Sequence, residues 1–239
     1  MVACLLSFDT STDVLAVALE LGGEVRCRVE AGGAKASGRL LAVISELLAE
    51  AGVGYARVDA IAFGQGPGAF TGLRTACAVA QGLGLGLDRP VLAIDSLLIM
   101  AEDACQRPDW IAPRDVPTWV AMDARMDEVY AGCWQRRDGR WLASAPAALY
   151  TLPALTARWL AEPPKVVAGT AVQVFSARLP WGTASCCPPV HDRAGALARL
   201  SRAAWSRAEG VDAAQALPVY LRDKVALTLD ERREAGHAR

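Results

Sequence analysis

The 239-residue sequence predicts an α/β protein of two lobes. Three observations carry that expectation. Strand-length apolar runs alternate with stripes at helical spacing over the first hundred residues. A proline-interrupted stretch from Gln106 to Pro117 breaks the pattern and marks a lobe boundary. Beyond it, the alternation of strands and helices resumes.

The elements follow in order. An apolar run to Phe8, a second from Val14 to Leu21 and a third from Glu24 to Glu30 read as strands, with Gly22-Gly23 as the hairpin between the last two. In the third, Val25, Cys27 and Val29 alternate with Arg26, Arg28 and Glu30, the period of an outer strand with one buried and one wet face. Ser37 is placed to cap a helix striped by Leu40, Leu41, Ile44, Leu47 and Leu48, with Val43 widening the stripe, and Gly52 ends it. Val58 to Phe63 is a short strand, then the loop GQGPGAFTGLR leads into a helix that runs to about Leu87. Pro90 to Ile94 is the next strand, and Ser96 opens another helix. After the boundary come strands at Trp119–Met122 and Val129–Gln135 around DARMDE, a turn at Asp138-Gly139, a helix after Pro153, a strand at 165–168 and a helix from about Asp192 to Glu209.

Composition narrows the function. With 53% hydrophobic and 21% charged residues the chain has the makeup of a globular protein. Its formal net charge of −1 argues against an unaided grip on nucleic acid, which calls for clustered Lys and Arg. The N-terminal apolar run breaks at Asp9, too early for a signal peptide or a membrane span, and no later run is long enough. Seven cysteines without a CxxC pair point to reduced thiols and a cytoplasmic address. The two histidines, His191 and His237, form no metal-binding pair, and no nucleophile elbow occurs. The expectation is no catalytic residue and no metal ligand.

The glycine-rich loop is the most informative segment. Gly64, Gly66, Gly68 and Gly72 permit sharp turns or close backbone approach, Pro67 stiffens the turn, Phe70 follows, and Thr71 can cap the next helix. A helix start with Arg74 in its first turn suits an anion. Three readings remain open: a phosphate cradle, a degenerate G-x-G-x-x-A dinucleotide loop with Asp95 as the ribose acid, or tight packing alone. Along the following helix Gly72, Ala76, Ala80 and Gly84 recur every fourth residue, a small-residue face that allows close helix approach. Paired with the Leu40, Val43, Ile44 and Leu47 stripe, it would supply a two-helix docking surface or pack internally. Asp9-Thr10-Ser11-Thr12 has the place of an acidic phosphate loop, with Thr10 where nucleotide loops usually carry glycine. Asp123, Asp127 and Glu128 around Arg125 read as a solvated turn with local ion pairs.

Three segments together carry a family resemblance: LLSFDTSTDVLAVAL, then DAIAFGQGPGAFTGLR with AVAQGLGLGL, then MDARMDEVYAG and PVYLR. Over Leu5 to Arg222 the chain resembles the TsaB-type (YeaZ-like) subunit of the bacterial machinery that makes threonylcarbamoyladenosine in tRNA. The resemblance implies a two-lobed actin, Hsp70 and sugar-kinase-like fold, with mixed sheets flanked by helices. It implies a non-catalytic scaffold that binds and activates a TsaD-type catalytic paralogue for transfer to adenosine 37, with a TsaE-type ATPase reached through the complex. The chain alone would form a homodimer, touch tRNA only indirectly, contact no membrane and bind no cofactor, ATP and metal belonging to the partner. The helices at 37–51 and 72–87 would form the pairing surface. Ala69 departs from the family's usual serine, which weakens direct ligand binding by the loop. The alternative is a nucleotide-dependent phosphotransferase of the same fold, with Asp9 organising magnesium. The expected organisation is an N-terminal lobe over 1–104 with the glycine loop and docking helices, a C-terminal lobe over 105–225 whose last helix is free to return to the first lobe, and a disordered tail over 226–239.

Overall fold

The computed structural model describes residues 2–33, 36–106, 115–188 and 192–222. The expected tail, both histidines and the centre of the proline-interrupted segment lie outside the described residues. The first sheet contains β1 (Cys4–Asp9), β2 (Val14–Leu21), β3 (Glu24–Ala31), β4 (Ala60–Gly66) and β5 (Val91–Asp95). Its order is β3-β2-β1-β4-β5, with β1, β2 and β3 antiparallel and β1, β4 and β5 parallel. The second contains β6 (Thr118–Asp123), β7 (Glu128–Arg137), β8 (Arg140–Thr151), β9 (Val166–Ala168) and β10 (Ser185–Cys187). Its order, β10-β9-β6-β7-β8, repeats the first in both connectivity and strand direction. β1 and β6 therefore hold equivalent central places, and each ends in an aspartate, Asp9 and Asp123.

Helices α1 (Ala36–Glu50) and α2 (Phe70–Leu87) cover one face of the first sheet. The pleat decides what they cover: Cys4, Leu6 and Phe8 of β1 and Leu15, Val17 and Leu19 of β2 point to that side and pack with Leu40, Val43, Ile44 and Leu47. The opposite face receives α3 (Ser96–Cys105) and α6 (Arg193–Ser206), so that Leu5, Ala60 and Leu92 meet Ile99, Leu197 and Leu200. Helix α6 thus crosses from the second half of the chain onto the first sheet. Helix α3 also packs Leu97, Met100 and Ala101 against Val120, Met122 and Tyr130 of the second sheet, and so sits between the sheets. The outer face of the second sheet is covered by α4 (Leu152–Ala161) and the single-turn α5 (Ala171–Val174), with Trp159 fully buried against Trp119.

Several local expectations are corrected. β3 is indeed an edge strand, but its apolar positions are the wetter ones: Val25 and Val29 are exposed. Arg28 and Glu30 instead face α1, where they pair with Glu50 and Arg39. Thr71 is not a cap, because α2 already starts at Phe70 and its N-cap is Ala69, with no side-chain bond. β8 and β10 are strands that the residue pattern did not mark. No disulfide joins the cysteines among the described residues, and no described helix is long and apolar enough to cross a membrane.

Candidate functional site

The β1–β2 turn is the centre of a buried polar network. Asp9 is fully buried, and its Oδ1 accepts from the Ser11 backbone N–H at 3.2 Å. Its Oδ2 accepts from the Ser11 hydroxyl at 3.0 Å and from Arg193 Nε at 2.5 Å. Arg193, the first residue of α6, also donates through Nη2 to Ser11 Oγ at 2.9 Å and to the Ser96 carbonyl at 3.4 Å. The Asp9 carboxylate is thus closed by the chain's own guanidinium, with charge and hydrogen bonds both satisfied.

The glycine-rich loop wraps around that turn. A Cβ at Gly64 would lie 1.9 Å from Asp9 Oδ1, one at Gly68 would lie 2.4 Å from the Ser11 carbonyl oxygen, and one at Gly72 would lie 1.8 Å from that of Thr10. Ala69 donates its N–H to the Ser11 carbonyl at 2.7 Å, and the Thr10 hydroxyl donates to the Gly72 carbonyl at 2.7 Å. Packing is therefore what the glycines serve, and the loop's nearest neighbour is protein. Gly66 sits at φ +115 beside a bulge in the β4–β5 register, and the bulge leaves the Gln65 carbonyl free to accept from Val219 N–H at 2.7 Å. The PVYLR segment is thereby pinned against the loop at Gln65 and Gly66. Asp95 does not reach for a ribose: its carboxylate caps α3, accepting from Leu97 N–H at 2.7 Å and Leu98 N–H at 3.0 Å. That assignment removes the dinucleotide reading.

A cleft of about 540 Å³ lies between the β1–β2 turn and its counterpart, the β6–β7 turn, with Ser11, Ala69, Asp123, Arg125, Thr170 and Tyr220 among its walls. The second turn holds Arg125, Met126 and Asp127 in succession at positive φ. Its acids are all in ion pairs: Asp123 with Arg125 at 3.3 Å, Asp127 with Arg178 at 2.6 Å, and Glu128 with Arg222 of PVYLR. The Arg178 pair holds the Asp127 carboxyl below its ordinary range. Among the described residues no cluster of metal-binding side chains occurs.

The expected docking stripe needs correction. Leu40, Val43, Ile44, Leu47, Ala76 and Ala80 are all fully buried inside the chain. Gly72 meets Thr10, and a Cβ at Gly84 would lie 2.7 Å from Val91 and 2.9 Å from Ala213, so this face of α2 lies on its own protein. The reason is the one left open above: an apolar stripe and a small-residue stripe on neighbouring helices also describe two helices seated on a sheet. The outward stripes are different residues. Helix α1 exposes Leu41, Ala42, Ser45 and Ala49 together with the charged Glu46 and Glu50, and α2 exposes Thr71, Arg74, Ala78, Gly82, Leu85 and Gly86. Arg74 is the sole charged residue of α2, while Leu85 is 79% exposed. Gly82 and Gly86 have open space where a Cβ would stand.

Two duplicated sheets around a cleft, with equivalent aspartate-bearing turns facing each other, define the actin, Hsp70 and sugar-kinase class of fold. Within that class, the family model described as TsaD, tRNA N6-adenosine threonylcarbamoyltransferase, matches residues 33–152. The tRNA threonylcarbamoyladenosine biosynthesis protein TsaB of Haemophilus influenzae is 44% identical over 126 residues, 53% of this chain and 51% of that protein. TsaB of Escherichia coli is 35% identical over 138 residues, 57% of this chain and 58% of that protein. The chain spans about half the length of the curated relatives it matches. YeaZ from Pseudomonas aeruginosa is 40% identical with a TM-score of 0.81, covering 92% of this chain and all of that structure. A second solved structure from that organism, a protein with similarity to peptidase YeaZ, gives 0.82 at the same identity and coverage. The chain belongs to the TsaB/YeaZ family.

Arg193 and Tyr220 are the site residues that the sequence did not announce. Arg193 lies 184 positions from Asp9, and no local pattern ties a helix-opening arginine to a distant turn. Tyr220 stood in view within PVYLR, and its partner in the fold, Phe70, lies in the F-T-G-L-R motif.

Proposed function

We propose that this chain is a non-catalytic subunit in the formation of threonylcarbamoyladenosine in tRNA, and that it docks and activates a TsaD-type catalytic paralogue through the outward faces of α1 and α2. The observation that carries the proposal is the make-up of α2's exposed side: one charge in 18 residues, an exposed leucine, and two glycines with nothing around them. A glycine inside a helix costs about 1 kcal/mol relative to alanine. At Gly82 and Gly86 nothing within the chain requires that cost, whereas a helix approaching from outside would. A face this poor in charge is also unlike an ordinary solvated helix surface.

The closed β1–β2 turn supports the non-catalytic half of the reading. With Asp9 sealed beneath Arg193, this carboxylate is not left to organise a magnesium nucleotide, which counts against the phosphotransferase alternative built on it. ATP and metal then belong to the paralogue, and a TsaE-type ATPase joins through the assembly. The same α1–α2 face pairs two copies of this chain when the paralogue is absent, and tRNA is held indirectly. The working place is the cytoplasm. Activation requires the paralogue's competent conformation to bind this chain more tightly than its other conformations.

The experiment is to mix the purified chain with the TsaD-type subunit of the same organism and measure mass by light scattering. Transfer activity is followed in parallel for each component and for the mixture. Activity only in the mixture supports the proposal; transfer by this chain alone contradicts it. Calorimetry with magnesium ATP on the isolated chain tests the alternative, which requires tight binding.

A further inference from the structure

Arg74 is an arginine held in place by aromatic neighbours. Its guanidinium lies 3.9 Å from the centroid of the Phe70 ring, and its Nε donates to the Tyr220 hydroxyl at 3.2 Å. Phe70 and Tyr220 in turn stack with ring centroids 5.2 Å apart. Tyr220 is fixed by its own segment, because Val219 is bonded to the Gln65 bulge and Leu221 packs into the core between the sheets. No acidic side chain pairs with Arg74 among the described residues, although most arginines of the fold have such a partner, as Arg28, Arg39, Arg193 and Arg202 do.

An exposed arginine is normally mobile and loses side-chain freedom when it binds. Here a ring beneath it and a hydroxyl beside it have already fixed the planar fork of an exposed residue. It is also the sole charge on α2 and lies in line with Ala78, Gly82 and Leu85. An anchored arginine within an aromatic cluster at the end of an apolar stripe has the composition of a binding hot spot.

We propose that Arg74 is the electrostatic anchor of the α1–α2 face and receives a carboxylate of the docked subunit, with Phe70 and Tyr220 as positioning residues. The inference rests on the docking reading above and adds the chemistry that sets register along the otherwise uncharged outward side of α2. The partner it fits presents an acidic side chain opposite the first turn of α2 and small or apolar side chains opposite Ala78 to Leu85.

The test measures binding of the full chain to the TsaD-type subunit by calorimetry, at low and high salt, for Arg74→Gln, Arg74→Glu, Tyr220→Phe and Ala78→Arg. Arg74→Gln is expected to weaken binding about tenfold or more, and Arg74→Glu further. The salt dependence of the wild type should flatten in Arg74→Gln, because the screened pair is gone. Tyr220→Phe should cost a few-fold and leave the salt dependence in place. Because Arg74 is exposed and in no ion pair among the described residues, its variants should unfold like the wild type. Binding of Arg74→Glu within about twofold of wild type, while Ala78→Arg abolishes the complex, overturns this inference and leaves the docking reading standing. Full binding by both variants overturns the two together. If Arg74 variants keep the protein complex but lose tRNA retention, the anion is a phosphate and the carboxylate assignment is wrong.

Discussion

Replacing Gly82 by leucine should strengthen the free chain and weaken its complex. A Cβ built at Gly82 meets nothing within 4 Å, and the residue lies inside α2, which runs on to Leu87. Leucine is favoured over glycine in a helix interior by roughly 0.8 kcal/mol, with no opposing clash. For a chain of this size that gain raises the melting temperature by about 2–3 °C. At the docked face the same side chain adds four carbons where two helices would approach closely, and loss of affinity by about tenfold or more is expected. Gly84→Ala is the internal contrast. Its new methyl would stand 2.7 Å from Val91 and 2.9 Å from Ala213, and overpacking of roughly 1–3 kcal/mol offsets or exceeds the helix gain. Thermal unfolding of each variant at dilute concentration, followed by calorimetric titration with the TsaD-type subunit, reads both quantities. A Gly82→Leu chain that melts lower than wild type, or that binds the subunit within twofold of wild type, would refute the reasoning.

Three further outcomes are expected. Arg193→Met should cost roughly 3–5 kcal/mol in urea unfolding, because it leaves the Asp9 carboxylate buried without a counter-charge. Adding Asp9→Asn should restore part of that loss, and a double-mutant cycle without coupling would contradict the pairing. Asp103, buried on α3, has its carboxyl pushed up to about 6 by burial and by Asp192, against the opposing pull of Arg193 and Arg199. The folded chain therefore binds a proton there more tightly than the unfolded chain does, and this contribution to stability falls as pH rises from about 4 to about 6. Relative to wild type, Asp103→Asn should gain stability across that window by roughly 2–3 kcal/mol, read as the difference between denaturation curves at pH 4 and pH 7.5. A constant difference between the two curves would contradict the assignment. Gly72→Ala should unfold or fail to accumulate, since its methyl would lie 1.8 Å from the Thr10 carbonyl.

Much of the architecture was legible because it rests on periodicities. The apolar runs of β1, β2 and β4, strands buried on both faces, and the stripe of α1 are strand and helix geometry written directly in residue type. β8 escaped because Arg140 to Thr151 is largely half-exposed and interleaved with alanine, serine and proline, so no strong alternation marks it. β10 escaped because three residues carry no period at all. The site was legible in position and misread in direction. GQGPGAFTGLR stood out for its glycines, but a glycine needed for close approach looks the same whether the neighbour is a phosphate or the Asp9–Ser11 turn. Likewise the Gly72, Ala76, Ala80 and Gly84 spacing shows that something lies close to α2. Only the fold shows that this something is the chain's own sheet and the segment around Ala213, leaving Thr71, Arg74, Ala78, Gly82 and Leu85 to face outward. The Asp9–Arg193 pair is purely tertiary: it exists because α6 returns to the first sheet and sets its first residue beside the β1–β2 turn.

The proposed docking of a catalytic paralogue through α1 and α2 is tested by light scattering on the chain mixed with the TsaD-type subunit, with wild type and Ala78→Arg compared side by side. A heteromeric species is expected for the wild type and separate components for the variant. A complex that forms equally well with Ala78→Arg, or none with the wild type, would contradict it.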